Sequence, residues 1–399
     1  MYNMSYKFQL SKIDPETCSI EELEDEIKRL NSIKEEFFGR EQSIKVFLNS
    51  IYGAMASPWF ECYNILAAEA VTLQGQDVSK FASKIIDEWF KNVWHLDTEL
   101  HKELGLTYVN KVNIDTATIY MDTDSVYVTF DSIFKSCDYK GDPVDFILKI
   151  KQMRLNSYLK EKFNEYAVHY NTKNLQDLEL EKISYSALMV AKKKYVLDLA
   201  WKDPDVRFAP QEKIKYVGIE IQQGSTPKFV RKVLKEMLKL EMAKGKELKY
   251  GEIVQKLRNY KKEFLLQEPE NIAKQQSIGD YDKYVLEDKK EIKFAGKAQA
   301  NVQSAGIYNY LLQNSKFKSK YNLIKTGDKI KWYYSHGNYA NRDFDMFGFL
   351  SGNYPYEFAL PVDYDKQFEK MVIEPLNRFI APLGFNPIPA SLIYAKALF

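Results

Sequence analysis

The stretch TATIYMDTDSVYV, residues 116–128, constrains this chain more than any other. Two runs rich in β-branched and aromatic residues, at 116–121 and 125–130, are separated by Asp122, Thr123 and Asp124. So short a polar break predicts a tight antiparallel hairpin carrying acids at its tip. Side chains two apart share a face of a regular strand, so Asp122 and Asp124 converge where the strand bends. Hard divalent cations take such oxygen donors, and a pair of Mg²⁺ ions is the ligand that two converging carboxylates suggest. Two acids alone rarely hold two ions, and no other segment supplies an evident third. The same tetrapeptide, Asp-Thr-Asp-Ser, is also a good turn sequence with no ligand at all, since Asp and Ser bond readily to their own backbone.

Upstream the pattern is helical. Ile20, Leu23, Ile27, Leu30, Ile33 and Phe37 recur at three- and four-residue intervals, and Ile44, Phe47, Leu48, Ile51 and Tyr52 repeat the pattern after Gly39 and Arg40. Two tightly joined antiparallel helices are expected. The second places Lys45, Asn49 and Tyr52 on one face, with Gly53 next to it. A lysine there can meet a triphosphate as a point charge, and a tyrosine beside a glycine permits close stacking of a base pair. An ordinary amphipathic helix has the same spacing. An Ala-rich helix is expected over 65–95, and another over 142–168. Strands are expected at 184–199, 213–221 and 327–335, and helices at about 251–266, 299–313 and 363–379. Ser225-Thr226-Pro227 marks a further helix start, with a hydroxyl cap and proline in the first turn, the helix running to about 243 before Gly245. The polar stretch around 240–300 reads as a domain edge. Leu392, Ile393, Leu398 and Phe399 fall on a tail with nothing evident to support it.

Composition narrows the class. At 399 residues with 45% hydrophobic content the chain fills more than one core. Lys and Arg number 57 against 55 acids, so any polyanion surface must be local. It is local at 190–235, where eleven Lys or Arg face five acids, the expected footprint of phosphate contacts or, more plainly, of a solvated charge run. Three scattered cysteines, Cys18, Cys62 and Cys137, and four histidines argue against a disulfide framework and a structural zinc. No apolar run is long enough to span a bilayer, and the start lacks the apolar block of a secretion signal, so the chain reads as intracellular, with no membrane partner.

LNSIYGA and YMDTDS resemble motifs B and C of family B DNA polymerases. The likeness, of the kind found in T4-like bacteriophages, continues through SPWFECYN, AKKKYVLDL and GIEIQQGSTPKFVRKVLKE to the end of the chain. It implies an α+β fold made of the C-terminal part of the fingers (1–55), a palm with an antiparallel sheet (56–222), a mostly helical thumb (223–362) and a C-terminal helix (363–388). A clamp-binding tail (389–399) follows. It also implies Asp122 and Asp124 as catalytic metal ligands, with Asp124 the stronger candidate to touch both ions. Lys45, Asn49, Tyr52 and Gly53 resemble the nucleotide-binding helix. Lys192, Lys193 and Tyr195, in the K-K-x-Y segment, and Ser225, Thr226 and Lys228 resemble DNA contacts. Leu392, Ile393, Leu398 and Phe399 resemble a sliding-clamp peptide. The implied activity is DNA-directed DNA synthesis with two Mg²⁺, or Mn²⁺ in their place, on primer-template DNA and dNTPs, in the cytoplasm of an infected bacterium. The motif A aspartate and the 3′-5′ exonuclease domain of the family are missing, so the chain resembles one half of a split polymerase whose N-terminal polypeptide supplies both. The competing reading is a non-catalytic DNA- and clamp-binding module left by gene splitting.

Overall fold

The structure is a computed structural model, and it describes residues 13–14, 16–287 and 291–394. Helices outweigh small antiparallel sheets, the α+β class expected. The chain forms two compact units, one of residues 1–141 and 149–177, the other of 142–148 and 178–399. The division falls inside the stretch 56–222 and leaves the K-K-x-Y sheet in the unit that holds the later helices.

The first unit opens with α1, Ile20–Met55, capped by Ser19 in a reciprocal box with Glu22. One unbroken helix stands where two were expected: Gly39 and Arg40 lie inside it, since one glycine in a helix interior costs only about 1 kcal/mol and thirty-odd neighbouring residues propagate through it. None of its residues is buried. The loop after it closes on itself, Asn64 donating its backbone N–H to Met55 O at 2.9 Å and accepting from Ala67 through its side chain at 3.0 Å. Asn64 thereby caps α2, Ile65–Glu88, which continues through a π turn to Val93. Trp89, Phe90 and Trp94 are fully buried and form the heart of this unit. β1, Thr118–Asp122, and β2, Ser125–Val128, make the expected hairpin. The predicted helix at 142–168 is present, interrupted by a π turn at Lys151–Leu155 before α3, Asn156–His169.

In the second unit β3, Lys182–Ala191, turns directly into β4, Lys194–Lys202, so the single strand expected over 184–199 is a hairpin. β4 is central: β3 lies on one side, and β5, Val206–Arg207, and β6, Ile214–Val217, lie on the other. Seven consecutive residues of β4 are buried, as a strand covered on both faces requires. α4, Lys228–Lys244, buries Phe229, Val230, Val233, Leu234, Met237, Leu238 and Glu241, an i, i+3, i+4 stripe that ends in an acid. Pro227, not a hydroxyl, stands at its N-cap, because Thr226 donates its hydroxyl to Glu220 O instead. The polar 240–300 stretch forms α5, Tyr250–Phe264, β7, Lys274–Ser277, and the start of α6, Ala300–Gln313, and is anchored by buried residues such as Leu257, Phe264 and Ile272; the whole stretch lies within this unit and marks no edge. β8, Lys329–Tyr339, pairs with β7 and with β9, Arg342–Leu350, a strand the sequence reading does not anticipate. Next come α7, Tyr364–Phe368, and α8, Glu374–Ile380, joined by a π turn, then α9, Ala390–Tyr394.

α9 corrects the expectation of an unsupported tail. Ile393 is 5% exposed, and Arg258 donates to Leu392 O at 2.9 and 3.2 Å. Lys261, itself 7% exposed, packs its ammonium 5.0 Å from the Tyr394 ring and pairs with Asp365 at 2.6 Å. An apolar end that finds a groove this well furnished is part of the fold. Leu398 and Phe399 lie outside the described residues.

Candidate active site and nucleic-acid surface

The acidic hairpin is held from below by one helix. On α2, Ser79, Ser83 and Asp87 are four residues apart and so lie on one face. Each bonds to the hairpin region: Ser79 Oγ donates to Thr123 O at 2.8 Å, Ser83 Oγ to Thr118 Oγ1 at 2.8 Å, and Asp87 Oδ1 accepts from Ala117 N at 2.7 Å. Three bonds at three heights along one stripe fix the hairpin against both sliding and tilting. None of these residues is singled out by the motifs. Their four-residue spacing is visible in the sequence, but Lys80, Lys84 and Glu88 share it, so the spacing alone does not single them out.

At the tip, Asp122 pairs with Ser125, leaving Thr123 and Asp124 as a two-residue turn. Thr123 has a φ of 56°, the left-handed region, which is costly for a β-branched residue. The turn is closed by Asp124 N donating to Asp122 O at 2.7 Å and Ser125 Oγ donating to the same carbonyl at 3.1 Å. The Thr123 hydroxyl donates to Asp122 Oδ1 at 3.2 Å. Asp122 is half-buried and Asp124 exposed. Tyr120 and Tyr127 face each other at 5.4 Å across the strands behind them. The Asp122 and Asp124 carboxylates suit Mg²⁺ or Mn²⁺ in chemical type. In number they fall short: among the described residues no cluster of three or more His, Cys, Asp or Glu could hold a metal.

Lys45, Asn49 and Gly53 are exposed on α1 and Tyr52 is half-buried, so the face read from the spacing exists and is open. In the second unit Lys192 and Lys193 form the exposed two-residue turn between β3 and β4. Tyr195 differs from them: it is 6% exposed on β4, so its ring belongs to the core that carries the turn and offers DNA little surface. Ser225 and Thr226 are half-buried and Lys228 exposed at the entry to α4. Arg231 braces that entry, donating to Gln223 O at 2.9 Å and to Thr226 O at 3.2 Å.

The family profile described as DNA polymerase family B matches residues 24–383. The chain is 26% identical over 265 residues to a DNA-directed DNA polymerase of Escherichia phage RB69, covering 61% of this chain and 27% of that protein. It is 26% identical over 250 residues to the DNA-directed DNA polymerase of Enterobacteria phage T4, covering 60% and 26% respectively. It therefore spans about a quarter of the length of the curated relatives it matches. Since the profile takes in both the acidic hairpin and the lysine turn, the chain belongs to DNA polymerase family B.

Proposed function

We propose that this chain is the C-terminal part of a DNA-directed DNA polymerase, active when an N-terminal polypeptide supplies the motif A aspartate and the exonuclease domain. The observation that carries this reading is the Asp122-Thr123-Asp124 tip, anchored by Ser79, inside the segment matched by the family profile. The reaction joins a primer 3′-hydroxyl oxygen to the α-phosphorus of a dNTP; the bond to the β-phosphate oxygen breaks and pyrophosphate leaves. Two Mg²⁺ or Mn²⁺ ions held by Asp122, Asp124 and the partner's aspartate would activate the hydroxyl and neutralise the leaving pyrophosphate. Lys45 and Asn49 hold the triphosphate from the open face of α1, and Tyr52 with Gly53 supports the new base pair. Lys192, Lys193, Ser225, Thr226 and Lys228 hold the duplex by its phosphates, which position the DNA without reading its sequence.

Two features support the need for a partner. The hairpin provides two carboxylates where two ions require more, and α1 leaves Ile44, Phe47 and Leu48 about 60% exposed, an apolar surface suited to a second helical arm. Leu398 and Phe399 would contact a sliding clamp, with Leu392 and Ile393 rooting that tail in the fold. No helix among the described residues is long and apolar enough to cross a membrane. The cytoplasm of an infected bacterium is the setting this function implies.

Primer extension with Mg²⁺ and all four dNTPs tests the proposal, comparing the chain alone with the chain plus an N-terminal polymerase fragment. Extension in the mixture alone is the expected result. Extension by the isolated chain would mean that its own residues complete the metal site. Extension in neither, with assembly confirmed, would leave a DNA- and clamp-binding module.

A further inference from the structure

We propose that Gly218 is a positioning residue for the DNA-holding lysines: it fixes the Lys192–Lys193 turn in the one conformation that presents both ammonium groups to duplex phosphates. The inference rests on the reading of that turn as a DNA contact and adds to it the residue that shapes it.

The turn is backbone-limited. It has two residues, Lys193 sits at φ 61°, and the ladder slips register between Met189 and Ala191. Two-residue hairpin turns favour positive φ, but a lysine occupies that region at a cost, so a contact pressing on the turn from outside decides which conformation it keeps. Strand β6 runs alongside β4 with Tyr195 opposite Val217, and the chain turns away immediately afterwards at Gly218, φ 64°. That brings the Gly218 α-carbon directly against the Lys193 peptide. A β-carbon at 218 would lie 2.0 Å from Lys193 O and 3.1 Å from Lys193 C. These are backbone atoms, so no rotamer change relieves the overlap; the Lys193 peptide itself must move. Gly39, Gly53 and Gly224, by contrast, have nothing within 4 Å of such an atom. A shift of that peptide displaces the turn that carries both lysines, and the buried Tyr195 and Val196 keep β4 from moving to accommodate a change.

The test is a double-mutant cycle on the full chain, read as affinity for a fluorescein-labelled primer-template duplex over a series of salt concentrations. Lys192→Ala with Lys193→Gly removes two phosphate contacts, and should lower the salt slope by about two and the affinity by roughly tenfold. Gly218→Ala alone should lower the affinity by nearly as much, because the displaced turn no longer reaches the backbone. Added to the lysine variant, it should change affinity less than about twofold, which a general loss of structure would not do. Gly218→Asn, which tolerates the left-handed region but keeps the β-carbon, should behave like Gly218→Ala and so assigns the effect to close approach rather than to φ. If the lysine variant binds DNA as the wild type does, the DNA reading fails and the proposal with it. If the lysine variant weakens binding but both Gly218 variants do not, the proposal alone fails. An equal loss from Gly218→Ala in both backgrounds, or loss of the fold by circular dichroism in both Gly218 variants, also overturns it, since a positioning residue leaves its unit folded.

Discussion

The acidic hairpin and the lysine hairpin are built alike and fastened differently. Each has a two-residue turn, and each holds a non-glycine residue in the left-handed region at its tip, Thr123 at φ 56° and Lys193 at φ 61°. In the first, a side-chain hydroxyl on a neighbouring helix grips the turn's carbonyl, Ser79 to Thr123 O. In the second, a glycine just past the end of a neighbouring strand is packed against the carbonyl with no room for a methyl group. A hydrogen bond sets a direction and tolerates small displacement; a steric stop sets a limit and tolerates none. The difference matches the tasks proposed for the two turns. Carboxylates that share ions must be aimed, whereas lysines on long flexible stems need only be held at the right height above a phosphate backbone.

The largest expected effect comes from the acidic side. Asp124→Ala in the assembled polymerase should lower extension by a factor of a thousand or more, with assembly unchanged, measured as single-turnover incorporation and by co-purification. Extension at the wild-type level would remove the acidic hairpin from the chemistry and leave the lysine turn as the only functional one of the pair.

The next effect falls in the unit that carries the lysine turn. Glu241 continues the apolar stripe of α4, is 1% exposed, and among the described residues neither carboxylate oxygen has a hydrogen-bond partner. Burial pushes its pKa up to about 8. Because the folded value lies above the ordinary one, the ionisation penalty is absent at acid pH and the unit loses stability as pH climbs from about 4.5 towards 8. Glu241→Met, close in volume, should remove that loss, a pH-dependent gain of up to about 3 kcal/mol at neutral pH that falls to a small pH-independent remainder below about pH 4.5. Urea unfolding of both proteins at several pH values checks it; a difference that does not grow between about pH 4.5 and 8 would mean that the carboxylate is paired in solution.

Much of this was legible beforehand. The carboxylate tip, the helix before it and the charge excess at 190–235 are local patterns, and local patterns survive folding. What was missed is non-local. The break expected at Gly39 disappeared because helix propagation outweighs one glycine. The β3–β4 turn reads as continuous strand because Lys-Lys carries no turn signal; its conformation is imposed by Gly218, twenty-five residues further on. Ser79, Ser83 and Asp87 took their meaning only once the hairpin lay on them, and the tail found its groove only when α5 and α7 supplied Lys261 and Asp365.

A smaller effect measures the acidic fastener itself. Ser79 is 7% exposed, and its single hydroxyl proton is shared between Thr123 O and Gly75 O at 2.8 and 2.9 Å. Ser79→Ala should cost about 1 kcal/mol of stability. It should slow incorporation roughly tenfold while leaving the primer-template KM unchanged, since it alters where Asp124 points and not how DNA is held. Raising Mn²⁺ should recover part of the rate. A change in KM with no change in rate would reverse the roles assigned to the two hairpins.

The smallest effect tests whether the two tips store the same strain. Thr123→Gly and Lys193→Gly both remove a side chain from a left-handed position, a relief of about 1 to 2 kcal/mol, against a loss of about 0.5 to 1 kcal/mol from the greater freedom of glycine in the unfolded chain. Both variants should therefore come out slightly more stable, by thermal unfolding. The gain should be larger at Thr123, whose branched β-carbon fits that region worse than lysine's. Each variant keeps its backbone carbonyl, so the Ser79 bond and the Gly218 contact persist. A loss of stability at Lys193 alone would show that the glycine stop, which cannot yield, needs the lysine Cβ to stiffen the turn it presses on. The acidic turn, held by a bond that can follow it, would not.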